Sequence, residues 1–349
     1  MSKKDITFGS FNLYNLQLPG EALYSTSTPY TQAEYDAKIA WSAQKLKQLD
    51  ADVIAFQELW SPQALRDIFD AAGLTDRYAL TFLRNSGWYN IAVAAAVRKP
   101  WTVTRKKLHK RFPHELVLDK PQDTEETIAG DRDDDGVTVV ASEFSRSVME
   151  LDIALDGEDA VPPVTVYCCH LKSKAPARLI GMPRRTKPYA SSIGSALSTI
   201  RRTAEATGLR ILLDKRMKDN DDAIVVIGDL NDGTLSNTLN IITAQPSYRL
   251  SVHSRAGRRS DKGLYMAAHL DQLRSFRDVN FSHSYRNVPD ILDHVLVSDA
   301  FYDAASVRKW SFADMQIFTD DMQSHERGGA ASDHGIVRVQ FDWNPNREA

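Results

Sequence analysis

The sequence predicts an α+β chain with two packed β-sheets flanked by helices. Three observations point there. About ten short apolar runs of strand length recur along the chain, between amphipathic stretches of helical period. The composition is globular: of 349 residues, 42% are hydrophobic and 26% charged, with a net charge of −3. No segment repeats at a solenoid or propeller period, and no Gly/Ser-rich stretch separates two halves. Residues 1–349 are therefore expected to form one domain.

The elements follow in order. ITFGSFNL (6–13) reads as a strand. Residues 32–50 read as a helix, with Thr31 as N-cap and Ile39, Ala43, Leu46 and Leu49 on one face. DVIAFQE (52–58) has the β-branched content and length of a buried strand. Ser61 and Pro62 form a favoured N-cap and first-turn pair that opens a second helix. NIAVAAAV (90–97), SVMELDIAL (147–155) and VTVYCCHL (164–171) are further strands, before a long helix over 190–218. AIVVIGD (223–229) is a strand and LSNTLNII (235–242) a short helix. ILDHVLVS (291–298), VRKWSF (307–312) and GIVRVQFDW (335–343) complete the strands. Loops are expected over 14–30, 113–136, 172–189 and 245–290.

Several classes are excluded. No apolar run approaches the roughly 18 residues that span a bilayer. The two cysteines, Cys168 and Cys169, are adjacent in an apolar run and cannot staple distant segments. The first residues contain no apolar signal region, so a reducing cytoplasm is the expected setting. There is no G-x-S-x-G elbow, no phosphate-cradling P-loop and no dinucleotide fingerprint.

One feature recurs at the strand ends. Apolar runs terminate in a single polar residue: Asn12, Glu58, His170 and Asp229. A buried strand ending in a carboxylate or imidazole aims that group at the rim of a sheet. The S-D-H string over 332–334 adds Asp333 and His334. Hard oxygen donors of this kind suit Mg²⁺, Mn²⁺ or Ca²⁺. Together with imidazoles, they are what phosphate-ester hydrolysis needs: a metal, a base for water and donors to the phosphate oxygens.

The ordered set FNL, FQE, HLKS, GDLN, LDHVLVS and SDHGIV resembles the endonuclease/exonuclease/phosphatase superfamily, over residues 6–342. The resemblance implies a four-layer sandwich of two mixed sheets with helices outside and an active site at one rim. It implies Glu58 as main metal ligand, with Asn12 and Asp333 beside it. It implies that Asp229 orients or deprotonates the attacking water and that Asn231 fixes the phosphate or nucleophile. Asp293 would hold His334 protonated against the phosphate, and His170 would contact the phosphate. In motif pattern the chain is most similar to bacterial non-specific nucleases of that superfamily. The function this implies is a divalent-metal-dependent phosphodiesterase acting on DNA or RNA. The alternative is a phosphoesterase of the same fold acting on a phospholipid or small phosphorylated molecule.

Charge distribution points to the partner. Residues 172–187 hold six basic and no acidic residues, and residues 105–111 hold five basic residues. Such runs are the expected footprint of a phosphate-facing surface. Lys172, Lys174 and Arg146 are the expected substrate contacts, made to the nucleic-acid backbone with little sequence specificity. Arg255, Arg258 and Arg259 form a second basic patch, and Tyr189, Tyr265 and Tyr285 are candidates for base stacking. Asp131, Asp133 and Asp135, followed by Gly136, match the first half of a calcium loop and give a candidate peripheral Ca²⁺ site.

Overall fold

A computed structural model of the chain describes residues 4–24, 27–83, 91–118, 139–158, 160–179, 181, 184–248, 263–274, 280–285, 288–319 and 330–345. Fourteen strands and five α-helices lie in the described residues. The first sheet holds β1 (Ile6–Leu16), β2 (Val53–Leu59), β3 (Tyr78–Thr81), β4 (Ala92–Arg98), β13 (Trp310–Phe318) and β14 (Ile336–Trp343), in the order β13-β14-β1-β2-β4-β3. The second holds β5 (Trp101–Leu118), β6 (Val139–Leu155), β7 (Val164–His170), β8 (Ala223–Asp229), β9 (Tyr265–Met266) and β12 (Asp293–Val297), in the order β5-β6-β7-β8-β12-β9. β10 (His283–Tyr285) and β11 (Val288–Asp290) form a separate antiparallel pair. Each six-stranded sheet is mixed: β1 runs parallel to β2, and β7 parallel to β8, while the other pairings are antiparallel.

The layers follow from alternation along the strands. In β2, Val53 and Ala55 enter the core between the sheets, while Ile54 and Phe56 face the other way. In β8, Val225 and Ile227 point inward, and Ile224 and Val226 outward. Both faces are covered, which is why these runs read as continuously apolar. Helices α1 (Gln32–Leu49) and α2 (Pro62–Ala72) cover the first sheet. α3 (Ala190–Met217) and α4 (Asn237–Thr243) cover the second. The result is the expected α+β sandwich.

The helix starts carry the predicted caps. Thr31 Oγ1 accepts from the Glu34 backbone N–H at 3.3 Å, and the Glu34 carboxylate accepts from the Thr31 N–H at 2.8 Å. Ser61 caps α2, with Pro62 in its first turn. Cys168 and Cys169 are both free and buried in β7. Among the described residues, no helix is long and apolar enough to cross a membrane.

The basic run over 105–111 behaves differently from its sequence-based reading. It lies on β5, which continues to Leu118 into the segment expected to be loop. Its partner β6 places Glu150 opposite Lys107, Asp152 opposite Arg105 and Glu143 opposite Arg111. Arg105 is ion-paired with Asp152 at 2.6 Å and with Glu150, and His109 Nε2 lies 2.6 Å from Glu150. The charges of Arg105 and Arg111 are matched within the sheet and do not form a free phosphate-facing strip. β3, β5, β9, β10, β11 and α5 (Ala267–Gln272) were not legible in the sequence, and β13 runs six residues past the predicted end, from 312 to Phe318.

Glu150 supplies a test of this ladder. Burial raises its pKa, but hydrogen bonds and charge from His109 and Arg105 outweigh that and hold it at about 2. A carboxyl depressed in the folded state stabilises the fold above its unfolded pKa, and that contribution is lost as pH falls toward 2. Glu150→Gln is expected to cost about 1–2 kcal/mol at pH 7 in urea unfolding. The gap to wild type should shrink as pH falls below about 4.3. A pH-independent gap would show that the cost is steric.

Candidate active site

Strand register assembles the site. Parallel pairing of β7 with β8 sets His170 opposite Asp229, and antiparallel pairing of β12 with β8 sets Asp293 opposite Asp229. Three neighbouring strands thus present an imidazole and two carboxylates in one row. Gly228 permits the close approach: it sits at φ +144°, and a Cβ there would lie 2.0 Å from the Cys169 carbonyl oxygen. From the first sheet, β1 and β2 deliver Asn12 and Glu58 to the same rim. The β1–β2 register shifts between Asn12 and Leu16, a bulge that turns the chain there. Among the described residues, four of the eight non-glycine residues with positive φ are Tyr14, Asn15, Glu58 and Asn231, all at this rim.

The polar contacts converge. Asn12 Nδ2 donates to Asp229 Oδ2 at 3.2 Å, and the Asn12 side chain also donates to Glu58. Asn12 therefore bridges the two acids, one from each sheet. The Asn15 backbone N–H donates to Glu58 Oε2 at 3.0 Å. His170 Nε2 lies 3.5 Å from Asp229 Oδ2 and 4.0 Å from Glu58 Oε1. His334 Nδ1 is 2.7 Å from Asp293 Oδ2, leaving Nε2 at 3.9 Å from Asp229 Oδ2. Asp293 Oδ2 also accepts from Ser282 Oγ at 2.9 Å. The Asn231 backbone N–H donates to Asp229 Oδ1 at 2.8 Å, and its side-chain amide is held by the Leu171 carbonyl at 3.1 Å.

Burial and charge separate the two histidines. Burial lowers the His170 pKa far below its usual value, helped by the positive charges of Arg146, His334 and Lys172, so this ring is neutral. Burial also lowers His334. There, however, Asp293 and Asp229, together with the hydrogen bond to Asp293, reverse the balance and keep the ring protonated. Burial raises the Asp229 carboxyl, and the charges of Asp293 and Glu58 raise it further against the opposing pull of His334. Burial likewise raises Glu58, with Asp333 adding to it.

These acids lack sufficient positive charge, which is the mark of a cation site. Asp333 Oδ1 and Asp293 Oδ1 are buried without a hydrogen-bond partner among the described residues. Asp229, Asp293 and His334 each offer a ligand atom within 4.8 Å of the others, and so do His283, Asp333 and His334. Oxygen-rich donors of this kind fit a hard divalent cation.

Beside the acids stand the expected cations. Arg146 Nη1 donates to the Leu171 carbonyl at 3.0 Å, and its charge acts on both Glu58 and His170. Lys172 follows on the same loop. Lys174 is turned toward acids: its Nζ lies 3.1 Å from Asp290 and 3.6 Å from Asp232.

Several neighbours were not anticipated. His283 on β10 stacks at an angle on His334, with ring centroids 4.9 Å apart. Glu205 on α3 accepts from the backbone N–H groups of Ser145 and Lys172, each at 2.8 Å. Arg202 donates to the Lys172 carbonyl at 3.2 Å and to Asp232 at 3.0 Å. Together they fix the loop that follows His170. Lys38 is 1% exposed, and its ammonium has no hydrogen-bond partner among the described residues. It lies over the rings of Tyr14 and Tyr30, at 5.2 and 5.9 Å. Burial lowers its pKa to about 8, opposed by the charges of Asp333 and Glu58. The one available signal was positional: Lys38 falls three residues after Tyr35 and four before Ser42, on the buried face of α1.

Other sequence candidates fall elsewhere. Tyr265 is fully buried and stacks on Tyr302 at 3.7 Å, so it belongs to the core and is unavailable to a base. Tyr189 is 64% exposed. The candidate calcium residues Asp131, Asp133 and Asp135, the patch Arg255, Arg258 and Arg259, and the Tyr285 side chain lie outside the described residues.

Comparison with known proteins identifies the family and the fold. The model of the Endonuclease/Exonuclease/phosphatase family matches residues 9–334, and the chain belongs to that family. Among solved structures, the endonuclease/exonuclease/phosphatase from Bacteroides vulgatus is 11% identical with a TM-score of 0.54, covering 97% of this chain and 99% of that one. Truncated TDP2 of Caenorhabditis elegans is 12% identical with a TM-score of 0.51, covering 97% of each chain. A mannosyl-6-phosphatase of Bacteroides thetaiotaomicron is also 12% identical, with a TM-score of 0.51, covering 97% of this chain and 100% of that one. At these identities the likeness is one of fold. A comparison with curated proteins gives no match. The family is one of phosphoesterases, and the rim carries acidic and histidine groups that could hold a metal.

The His334–Asp293 pair can be tested by NMR titration of the imidazoles in metal-free protein. Wild-type His334 is expected to stay protonated well above pH 6.5, the ordinary histidine value. Asp293→Asn should leave a buried ring without its partner and bring its pKa down by more than about one unit. An unchanged His334 titration in that variant would refute the pairing.

Proposed function

We propose that the chain, as one catalytic domain, is a divalent-metal-dependent phosphodiesterase that hydrolyses the backbone of DNA or RNA. The observation that carries this reading is the convergence of Glu58, Asp229, His170 and the Asp293–His334 pair at one rim. A lone phosphate-binding patch would need no buried, raised carboxylate beside a protonated histidine.

Glu58, Asp333 and Asn12 would hold Mg²⁺ or Mn²⁺. When bound, such an ion stabilises the charge that grows on the phosphate oxygens. Asp229 accepts the proton of the attacking water, whose oxygen forms the new bond to phosphorus. The protonated His334 donates from Nε2 to a phosphate oxygen, its Nδ1 fixed by Asp293. The bond to the leaving oxygen breaks, and that oxygen takes up a proton from solvent water. His170, neutral and within reach of Asp229 and Glu58, donates to the phosphate. Asn231 holds the loop against Asp229 and places its amide beside the nucleophile. Arg146 and Lys172 meet the flanking phosphates, with Lys174 at the margin.

A second reading is a phosphatase of small phosphorylated molecules. The specific observation in its favour is that Lys174 is engaged by Asp232 and Asp290, which leaves less free positive charge for a long polyanion.

Purified protein is expected to nick supercoiled plasmid in Mg²⁺ or Mn²⁺ and to stop in excess chelator. Asp229→Ala and His334→Ala should each lower turnover by about 10²–10³-fold, the usual cost of one lost transition-state group. Activity that survives chelation would sink the proposal. Cleavage of sugar or inositol phosphates without plasmid nicking would favour the second reading.

A further inference from the structure

Tyr24 and Trp60 form an aromatic ledge next to the carboxylates, and the chemistry above does not use it. The loop that carries Tyr24 joins β1 to α1 and is closed on itself. The Gly20 N–H donates to the Tyr30 carbonyl at 2.9 Å, and Gln17 Nε2 to the Ala22 carbonyl at 3.3 Å. Ser27 Oγ accepts from the Tyr24 N–H at 2.8 Å and donates to the Tyr24 carbonyl at 2.9 Å. The tyrosine backbone is thereby pinned. Its ring meets Trp60 edge to face, with centroids 5.0 Å apart and planes at 88°.

Trp60 is anchored to the site. It follows β2 directly after Glu58 and Leu59 and is 7% exposed. Its indole N–H donates to Asn15 Oδ1 at 3.1 Å, and the Asn15 N–H donates to Glu58. Tyr24 is thus three contacts from the Glu58 carboxylate, yet 48% exposed. Its hydroxyl feels the charges of both Glu58 and Arg146, which come from opposite sheets. An aromatic ring held in water by a pinned loop, at the edge of a phosphate site, offers a flat apolar surface to whatever the phosphate is attached to.

We propose that Tyr24, supported by Trp60, is a stacking subsite for the nucleobase next to the scissile phosphate. This rests on the nucleic-acid reading of the site. Stacking on an aromatic ring is indifferent to base identity, which suits cleavage without sequence preference. A base carries no charge, so the nearby Glu58 carboxylate does not oppose it as it would a second phosphate. One stacked base is worth roughly ten- to hundred-fold in affinity.

The test uses the full chain and short oligonucleotides with one phosphodiester among methylphosphonate linkages. One substrate has bases on both sides of that phosphate, and the other has abasic tetrahydrofuran residues. Tyr24→Ala should lower the preference for the base-bearing substrate roughly tenfold or more, through KM rather than kcat, and Tyr24→Phe should keep it. A binding readout accompanies the kinetics: 2-aminopurine beside the phosphate should be quenched by Asp229→Asn protein without metal. That quench should be lost on adding Tyr24→Ala. An unchanged preference and an unchanged quench, in protein that still cleaves, would overturn the subsite alone. Failure of wild type to bind or cleave either oligonucleotide would overturn the nucleic-acid reading and the subsite with it.

Discussion

Asp229 ends a strand between two partners that each bring a functional group level with it. His170 stands opposite on the parallel side and Asp293 on the antiparallel side. Side chains alternate with period two, so a one-residue slip on either side would turn the partner to the other face of the sheet. The register in turn needs Gly228, because the β7 backbone passes too near for any Cβ. The rest of the site is arranged around this row. β1 and β2 add Asn12 and Glu58 across the core, and the chain end adds His334 beside Asp293. Arg202 and Glu205 on α3 hold the loop that leaves His170.

The site stores unbalanced charge. Glu58, Asp229, Asp293 and Asp333 come close together, and burial raises the pKa of Glu58 and Asp229. Within the described residues the compensation is partial. His334 takes up a proton, Arg146 approaches from the second sheet, and Lys38, over the rings of Tyr14 and Tyr30, interacts by charge with Asp333 and Glu58. A site of this kind gains from any cation that enters it. The same arrangement explains why the two imidazoles differ. His334 has a carboxylate on Nδ1, whereas His170 is lowered by burial first and by nearby positive charge second, and its Nδ1 has no partner among the described residues.

Much of the rim was legible because function interrupts an otherwise apolar pattern. A strand such as AIVVIGD has no packing reason to end in aspartate, and VTVYCCH has none to end in histidine. His283, by contrast, sits in a short strand without an apolar run, and nothing local separates it from loop. Glu205 and Arg202 read as ordinary charges on a long helix. Only the docking of α3 on the second sheet turns them toward the loop after His170. The run RKKLHKR misled for a related reason. The acids that meet Arg105, His109 and Arg111 lie across the ladder on β6, about forty residues away in sequence, so these charges look unpaired in one dimension.

The sequence by itself determined the elements whose patterns are local: the buried strands, the capped helices and the polar strand ends. Those depend on periodicity and on neighbours a few residues apart. Tertiary structure alone decided which ends meet, which of two histidines is charged, which cations are already matched and where Tyr24 stands. Each of these depends on distance and dielectric between groups far apart in the chain. Coulombic and desolvation energies follow separation in space, and separation in sequence carries almost no information about it.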